Sequence, residues 1–327
     1  MARAHSLCAA IDIGGTKVII GLIDRNGHIV ARDRFALHDR REPEQVTADA
    51  VARLRSLCTE ADVKWDSLAG VGCCVACMLD LKREIVLRTP NVWRQLDVPL
   101  RSMLSRAAGL PVWLEMDANA AAVGEAWRGA GAGALNLVYV VLGTGIGSGI
   151  LLDGHVYRGW GGTAGEVGHM ILEPDGPTCG CGGHGCLEAL ASGSALARDG
   201  QRAASDNPAT LIARLAGSGA VSAETVLQAA RQGDATAQGI VERAAGYLGL
   251  GLVNLIHLLN PEVIVLGGGL ILGGADLMLG RVRRVVAERC GSWVDQRGRR
   301  IELSALGDDA GILGVARQVW NAVDAQE

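Results

Sequence analysis

Leu7-Cys-Ala-Ala-Ile-Asp12-Ile-Gly14-Gly15-Thr16-Lys17-Val-Ile-Ile-Gly-Leu-Ile-Asp24 consists of two apolar runs joined by a glycine turn. Two such runs around a short turn containing glycine read as a β-hairpin. A second turn at Asn26-Gly27 extends the pattern to three strands, 7–13, 18–24 and 29–37. Asp12 to Lys17 therefore forms a hairpin tip rather than a strand-to-helix turn, which excludes a Walker loop or a dinucleotide fingerprint there. The pattern returns about 130 residues later: strand 136–142, turn Gly143-Thr144-Gly145, strand 147–152, turn Asp153-Gly154 and a short strand from His155. A unit repeated in this way predicts duplicated domains, although glycine hairpins are common by themselves.

Between and beyond the hairpins, helices alternate with strands. Ala48, Val51, Leu54 and Cys58 recur at helical spacing and predict a helix over 47–59. An apolar strand over 68–77, a helix over 99–108 and a strand over 112–115 follow, then Asp117 and a short alanine-rich helix over 119–127. The second half is more helical, with helices expected over 210–215, 223–232 and 235–259. The last of these stops at Asn260-Pro261. A strand over 263–266 runs into Gly267-Gly268-Gly269, a place where backbone can approach a nucleotide. A strand over 301–306 and a closing helix over 310–319 complete an α/β chain.

The 327 residues accommodate two domains. The expected division is a small N-terminal α/β domain over 1–118 and a larger one over 119–309, with the closing segment, about 310–327, returning to the first. Apolar residues make up 49% and charged residues 20%, a globular composition. A net charge of -4 gives no basic footprint for nucleic acid. Asp12 interrupts the first apolar run too early for a signal peptide, so a cytoplasmic protein without a membrane partner is expected. The uncharged run over 134–152 is broken by its glycine turn, and no other segment is expected to approach a membrane span.

A second stretch carries the chemistry: Glu166-Val-Gly-His169-Met-Ile-Leu-Glu-Pro-Asp-Gly-Pro-Thr-Cys179-Gly-Cys181-Gly-Gly-His184-Gly-Cys186-Leu-Glu188. Three thiols and one imidazole, His169, Cys179, Cys181 and Cys186, suit a tetrahedral metal, with zinc the first choice and His184 an alternative ligand. Buried or disulfide-bonded cysteines are the other reading. Three of nine cysteines crowd into eight residues in a chain without an export signal, which favours metal. A site closed by four protein ligands is structural rather than catalytic, and would fix the carboxylates Glu166 and Glu188 at its ends.

Glu166-x-Gly168-His169 followed by Cys179-x-Cys181-Gly-x-x-Gly-Cys186-x-Glu188 resembles the signature of the ROK family of repressors, open reading frames and sugar kinases. The resemblance extends from Asp12 to the final helix. It implies two ribonuclease-H-like domains of the actin, hexokinase and Hsp70 superfamily, with ATP in the cleft between them, and commonly a homodimer. It also implies a glucokinase-like activity, phosphorylation of the 6-hydroxyl of glucose or a related hexose, with ATP, Mg²⁺ and a structural Zn²⁺. N-acetylmannosamine or N-acetylglucosamine kinases share the motifs, and a catalytically idle sugar-binding protein is a reading from another class.

By the same resemblance the tips Gly14-Gly15-Thr16 and Gly143-Thr144-Gly145 are phosphate motifs, and Gly267, Gly268 and Gly269 lie on the adenosine side. Glycine lets backbone donors approach anionic oxygens, Asp12 is suited to Mg²⁺, and Lys17 adds positive charge. Asp117, in Glu115-Met-Asp-Ala-Asn119, matches the family's general base, and a helix cap is its other role. Asn91, Glu166, His169 and Glu188 match sugar contacts; Asn91 also reads as a turn residue after Pro90. Two departures stand out. Met116 replaces the family's Asn before the base, and Cys73-Cys74-Val75-Ala76-Cys77 replaces a glycine- and proline-containing turn. Repressors of the family carry a winged-helix segment ahead of the first hairpin, for which the eleven residues before Asp12 leave no room.

Overall fold

The computed structural model describes residues 5–37, 42–292, 294–295 and 297–325; the chain ends that the expected domain limits include lie outside the described residues. Contacts divide the chain into two compact units, Met1–Leu135 with Gly149–Ala164 and Ala305–Glu327, and Asn136–Ser148 with Gly165–Ser304.

The strands before residue 135 are β1 (Leu7–Ile13), β2 (Lys17–Asp24), β3 (Ile29–Ala36), β4 (Val71–Val75), β5 (Met78–Leu79), β6 (Val86–Arg88) and β7 (Val112–Met116), all in the first unit. Five of them form a sheet in the order β3-β2-β1-β4-β7. β1 pairs antiparallel with β2, and β2 with β3, while β1, β4 and β7 run parallel. Successive side chains of a strand point to opposite faces, so both faces of β1 are covered. Ala9, Ile11 and Ile13 pack with Val46 and Leu54 of the helix Pro43–Glu60 and with Leu100 and Leu104 of the helix Leu100–Ala108. Cys8 and Ala10 meet Ile312, Val315 and Trp320 of the helix Ala310–Asp324.

The first of these helices begins four residues before the expected 47, with Pro43 in its first turn, where proline's missing N–H costs nothing. The helix Asp117–Arg128 lies against Ala310–Asp324 at glycine contacts. A Cβ at Gly314 would stand 1.7 Å from the Ala120 carbonyl oxygen, and one at Gly124 would stand 2.3 Å from that of Ala310.

The second sheet comprises β8 (Leu137–Leu142), β9 (Ile146–Leu152), β10 (His155–Val156), β11 (Val263–Gly267) and β12 (Arg300–Leu303), in the order β10-β9-β8-β11-β12. Numbered within each sheet, both orders are 3-2-1-4-5, the ribonuclease-H-like arrangement, and β8, β11 and β12 run parallel. Four helices that the sequence pattern did not single out, Leu187–Ala191, Gly193–Asp206, Gly269–Gly273 and Ala275–Arg289, belong to this unit.

The helix Ala235–Leu259 has the expected limits; the Asp234 side chain caps it by accepting the Ala237 N–H, and Asn260 ends it in the left-handed region. One expectation needs correcting here. This helix has the length and apolar composition of a membrane span, but 61% of that window is buried within the protein, as in a core helix. Gly249 admits Val285 of the helix Ala275–Arg289, whose Cβ would lie 2.6 Å from a side chain added at Gly249.

Candidate active site and metal loop

In the first unit, Asp12 sits one residue before the end of β1, where the hairpin tip begins. Its carboxylate is pushed up to about 7 by burial first and by the charge of nearby Asp117 second, opposed by a hydrogen bond with the Cys74 thiol and by the charge of Lys17. A Cβ at Gly311 would come within 2.6 Å of Asp12 Oδ2, so the closing helix presses its backbone against this carboxylate. The tip is tight: the Gly14 N–H donates to the Lys17 carbonyl at 3.0 Å. Gly15 leaves its own Cβ position 3.2 Å from the Asn91 Cβ, which places exposed Asn91 beside the tip.

Asp117 occupies the first residue of its helix, and its Oδ1 accepts the Ala118 N–H at 2.8 Å. It stands half-buried at the end of β7, and the opening turn of the helix favours a negative charge there. Lys17 is paired with Asp308 and keeps further N–H donors on its partly exposed ammonium. Asp308 also adds negative charge near Asp12. The sequence reading missed Asp308; it belongs to a 3-10 turn, Gly307–Asp309, that no motif marks. Cys77 was noted only as part of an altered turn. Its thiol is pushed up by burial and then by the charges of Asp117 and Glu115, so it lies near both carboxylates.

In the second unit, the tip between β8 and β9 is built the same way, with the Gly143 N–H donating to the Gly145 carbonyl at 3.0 Å. Gly193 and Ser194, in the first turn of the helix Gly193–Asp206, donate to the carbonyls of Gly143 and Thr144. Glu188 ties the tip to the metal loop. Its Oε2 accepts the Ile146 N–H at 2.9 Å, and the Cys179 thiol lies 3.8 Å from its Oε1. Gly145 is needed there, because a Cβ would fall 2.3 Å from Glu188 Oε2. Gly268, at φ 91, adopts the left-handed backbone that glycine tolerates and lies against the Leu142 carbonyl, which brings the Gly267 to Gly269 run beside the tip.

The ligand atoms of His169, Cys179, Cys181 and Cys186 all lie within 4.8 Å of one another. Cys181 Sγ is 3.8 Å from Cys186 Sγ, and Cys179 Sγ is 3.7 Å from His169 Nδ1. Sulfurs held tetrahedrally at about 2.3 Å from zinc are about 3.8 Å apart, so the quartet fits such an ion. Nδ1 faces the sulfurs, and Nε2 is turned toward Glu166 Oε2 at 3.8 Å. His184 is outside the quartet, exposed and bridged through its backbone to Thr178.

Two sheets of the same order, two glycine tips and a three-cysteine, one-histidine loop define the actin-type ATPase fold in its ROK form. The chain belongs to the ROK family, whose model matches residues 8–321. It is 36% identical to the glucokinase of Thermotoga maritima over 312 residues, 94% of this chain and 95% of that protein. It is 32% identical to the xylose repressor of Bacillus subtilis, across 94% of this chain and 75% of the repressor. Among solved structures, the ROK hexokinase of Thermus thermophilus superposes with a TM-score of 0.81 at 33% identity, covering 98% of this chain and 99% of that one. The ROK family glucokinase of Streptomyces griseus, in complex with glucose and AMPPNP, gives 0.79 at 33% identity, covering 96% and 99%.

Proposed function

We propose that the protein is an ATP-dependent hexose kinase that phosphorylates the 6-hydroxyl of glucose or a close relative. The observation that carries this reading is the pair of carboxylates Asp12 and Asp117 at the ends of β1 and β7, on either side of β4 and close enough that the charge of Asp117 helps push Asp12 up to about 7, after burial. Its closeness to glucokinases over nearly its whole length supports the choice of glucose.

Asp117 accepts the proton of the 6-hydroxyl as that oxygen bonds to the γ-phosphorus and the bond from phosphorus to the departing ADP oxygen breaks. Asp12 would hold Mg²⁺, directly or through water, and the ion would supply positive charge to the phosphates. The backbone at Gly14 to Thr16 and Gly143 to Gly145 holds phosphate oxygens, Lys17, paired with Asp308, adds positive charge, and Gly267 to Gly269 receives the adenosine side.

Asn91, Glu166, His169 and Glu188 orient the sugar. One oxygen of Glu188 is held by the Ile146 N–H, which orients the carboxylate for a sugar hydroxyl. The His169, Cys179, Cys181 and Cys186 quartet would hold a structural zinc, which would fix the imidazole that faces Glu166. The nine free cysteines and the use of ATP support a cytoplasmic enzyme, and the resemblance to ROK kinases supports a homodimer.

A hexose panel with ATP and Mg²⁺ in a coupled ADP assay tests the proposal: glucose is expected to lead, and silence with every hexose would remove it. The similarity to the xylose repressor favours a second reading, a sugar-responsive regulator. Sugar binding without ADP release would select it.

A further inference from the structure

A cavity of ≈ 210 Å³ opens in the first unit beside Met116, the residue preceding the proposed base. At about 30 Å³ per water it has room for about seven, too small for a whole nucleotide and ample for a sugar substituent. Leu79, Leu81 and Met116 give it an apolar side, and Arg83, Glu115 and Arg158 a polar one.

The acceptors in its wall are already used. Glu115, 1% exposed, receives Arg158 and the Gln318 side chain (2.9 Å) on Oε2, and the Met116 N–H (3.1 Å) and Asn119 side chain (3.2 Å) on Oε1. Asp80 spends both oxygens on the N–H groups of Lys82, Glu84 and Ile85 in its own turn, which holds it below the usual carboxylate range.

Two donor groups are not. Arg158 donates through its terminal nitrogens to Glu115 and to the Val156 carbonyl, but its Nε is buried without a hydrogen-bond partner. Among the described residues, Arg83 makes no hydrogen bond or ion pair through its guanidinium, is half-buried, and has its pKa lowered by that burial. Arg83 also sits at φ 52, a left-handed position where a bulky side chain is uncommon. A guanidinium is always charged and presents its donors in a fork that matches carboxylate, phosphate or sulfate oxygens.

We infer that this cavity is an acceptor subsite for an anionic substituent, and that Arg83, with Arg158 Nε, selects hexoses carrying a carboxylate, phosphate or sulfate away from the 6-hydroxyl. The inference rests on the hexose-kinase reading for its link to catalysis. Met116 and Asp117 are consecutive, so their Cα atoms are about 3.8 Å apart. Cys77, which feels the charges of both Asp117 and Glu115, joins the two regions. Met116, where the resemblance expects a hydroxyl-binding Asn, gives the cavity an apolar wall, and the polar selection falls to Arg83.

The test is a panel of acceptors that keep a free 6-hydroxyl: gluconate, glucose 1-phosphate, glucose 3-sulfate and N-sulfoglucosamine, beside glucose and N-acetylglucosamine. Binding is read by calorimetry and turnover by ADP release, for the natural protein and for Arg83→Gln and Arg83→Lys. At least one anionic acceptor is expected to bind tenfold or more tightly than glucose, with the position and chemistry of the anion given by whichever succeeds. In Arg83→Gln the ratio of its kcat/KM to that of glucose falls at least tenfold, and Arg83→Lys restores part of it. The inference is overturned if no anionic acceptor outbinds glucose, if Arg83→Gln leaves the ratio unchanged, or if neutral N-acetylglucosamine takes the preference instead. Failure of the kinase reading looks different: no acceptor releases ADP, while the Arg83-dependent binding preference still decides the subsite.

Discussion

Asp12 is the most perturbed carboxylate in the proposed phosphate site, and replacing it with Asn isolates the effect. Its carboxyl rises from an ordinary 3.8 to about 7 when no cation is present. At 1.36 kcal/mol per pH unit, ionising it in the folded protein costs at most about 4 kcal/mol. The sign follows from linkage. A folded pKa above the unfolded one means the folded chain prefers the protonated acid, so that contribution is whole below about pH 4 and is lost as pH rises through 7. Urea unfolding in a metal chelator at pH 5 and pH 8 reads it, with Asp12→Asn as reference, since the amide preserves shape and an oxygen for the Cys74 thiol. The natural protein should lose up to about 2.7 kcal/mol more than the variant between the two pH values, and saturating Mg²⁺ with ATP should shrink the difference. Parallel pH curves for the two proteins would mean that Asp12 ionises freely and has no unmet need for a cation.

Three other outcomes follow from the geometry. Removing metal with a strong chelator, or Cys181→Ser, should release one zinc per chain by atomic absorption and lower sugar affinity more than ATP affinity, because His169 and Glu188 lose their support. Gly314→Ala should destabilise by roughly 2 to 5 kcal/mol in urea unfolding, since its Cβ would stand 1.7 Å from the Ala120 oxygen and the two helices must separate. Asp234→Ala removes the acceptor of the Ala237 and Leu211 N–H groups and should cost about 1 to 2 kcal/mol near pH 7. Asp234 is held below the ordinary carboxylate range by those bonds, so its contribution is present above pH 4 and lost in acid; the variant and natural proteins should converge in thermal melts near pH 3.

The parts of the molecule legible in the chain were those with a strict period or fixed spacing. β1 has the expected limits because burial on both faces leaves an apolar run, interrupted only by Asp12, that ends at the glycine turn. The metal quartet was readable because all four ligands lie within eighteen residues of one another. Strands as short as β5 and β6 carry too few residues to show alternation, so that hairpin went unseen, and with it the turn that presents Arg83. The helix Ala275–Arg289 contains Gly280 and a mixed charged pattern that obscured its buried stripe of Met278, Val282, Val285 and Val286. Arg83, Glu115, Arg158 and Asp308 come from four segments far apart in sequence, and only folding shows that Glu115 is saturated while Arg83 is not. Glu188 was read as a sugar contact alone, whereas half of its carboxylate is fixed on the Gly143 to Gly145 hairpin, a role that spacing cannot reveal.

The central claim, a carboxylate at position 117 taking the proton of a hexose 6-hydroxyl during transfer from ATP, is tested most directly by following product formation from glucose, ATP and Mg²⁺ by phosphorus NMR. The natural protein should form glucose 6-phosphate with matching ADP, and Asp117→Asn should slow that by at least a hundredfold while ATP affinity stays within a few-fold. Comparable rates from the two proteins, or a phosphorylated product at another hydroxyl, would contradict the account.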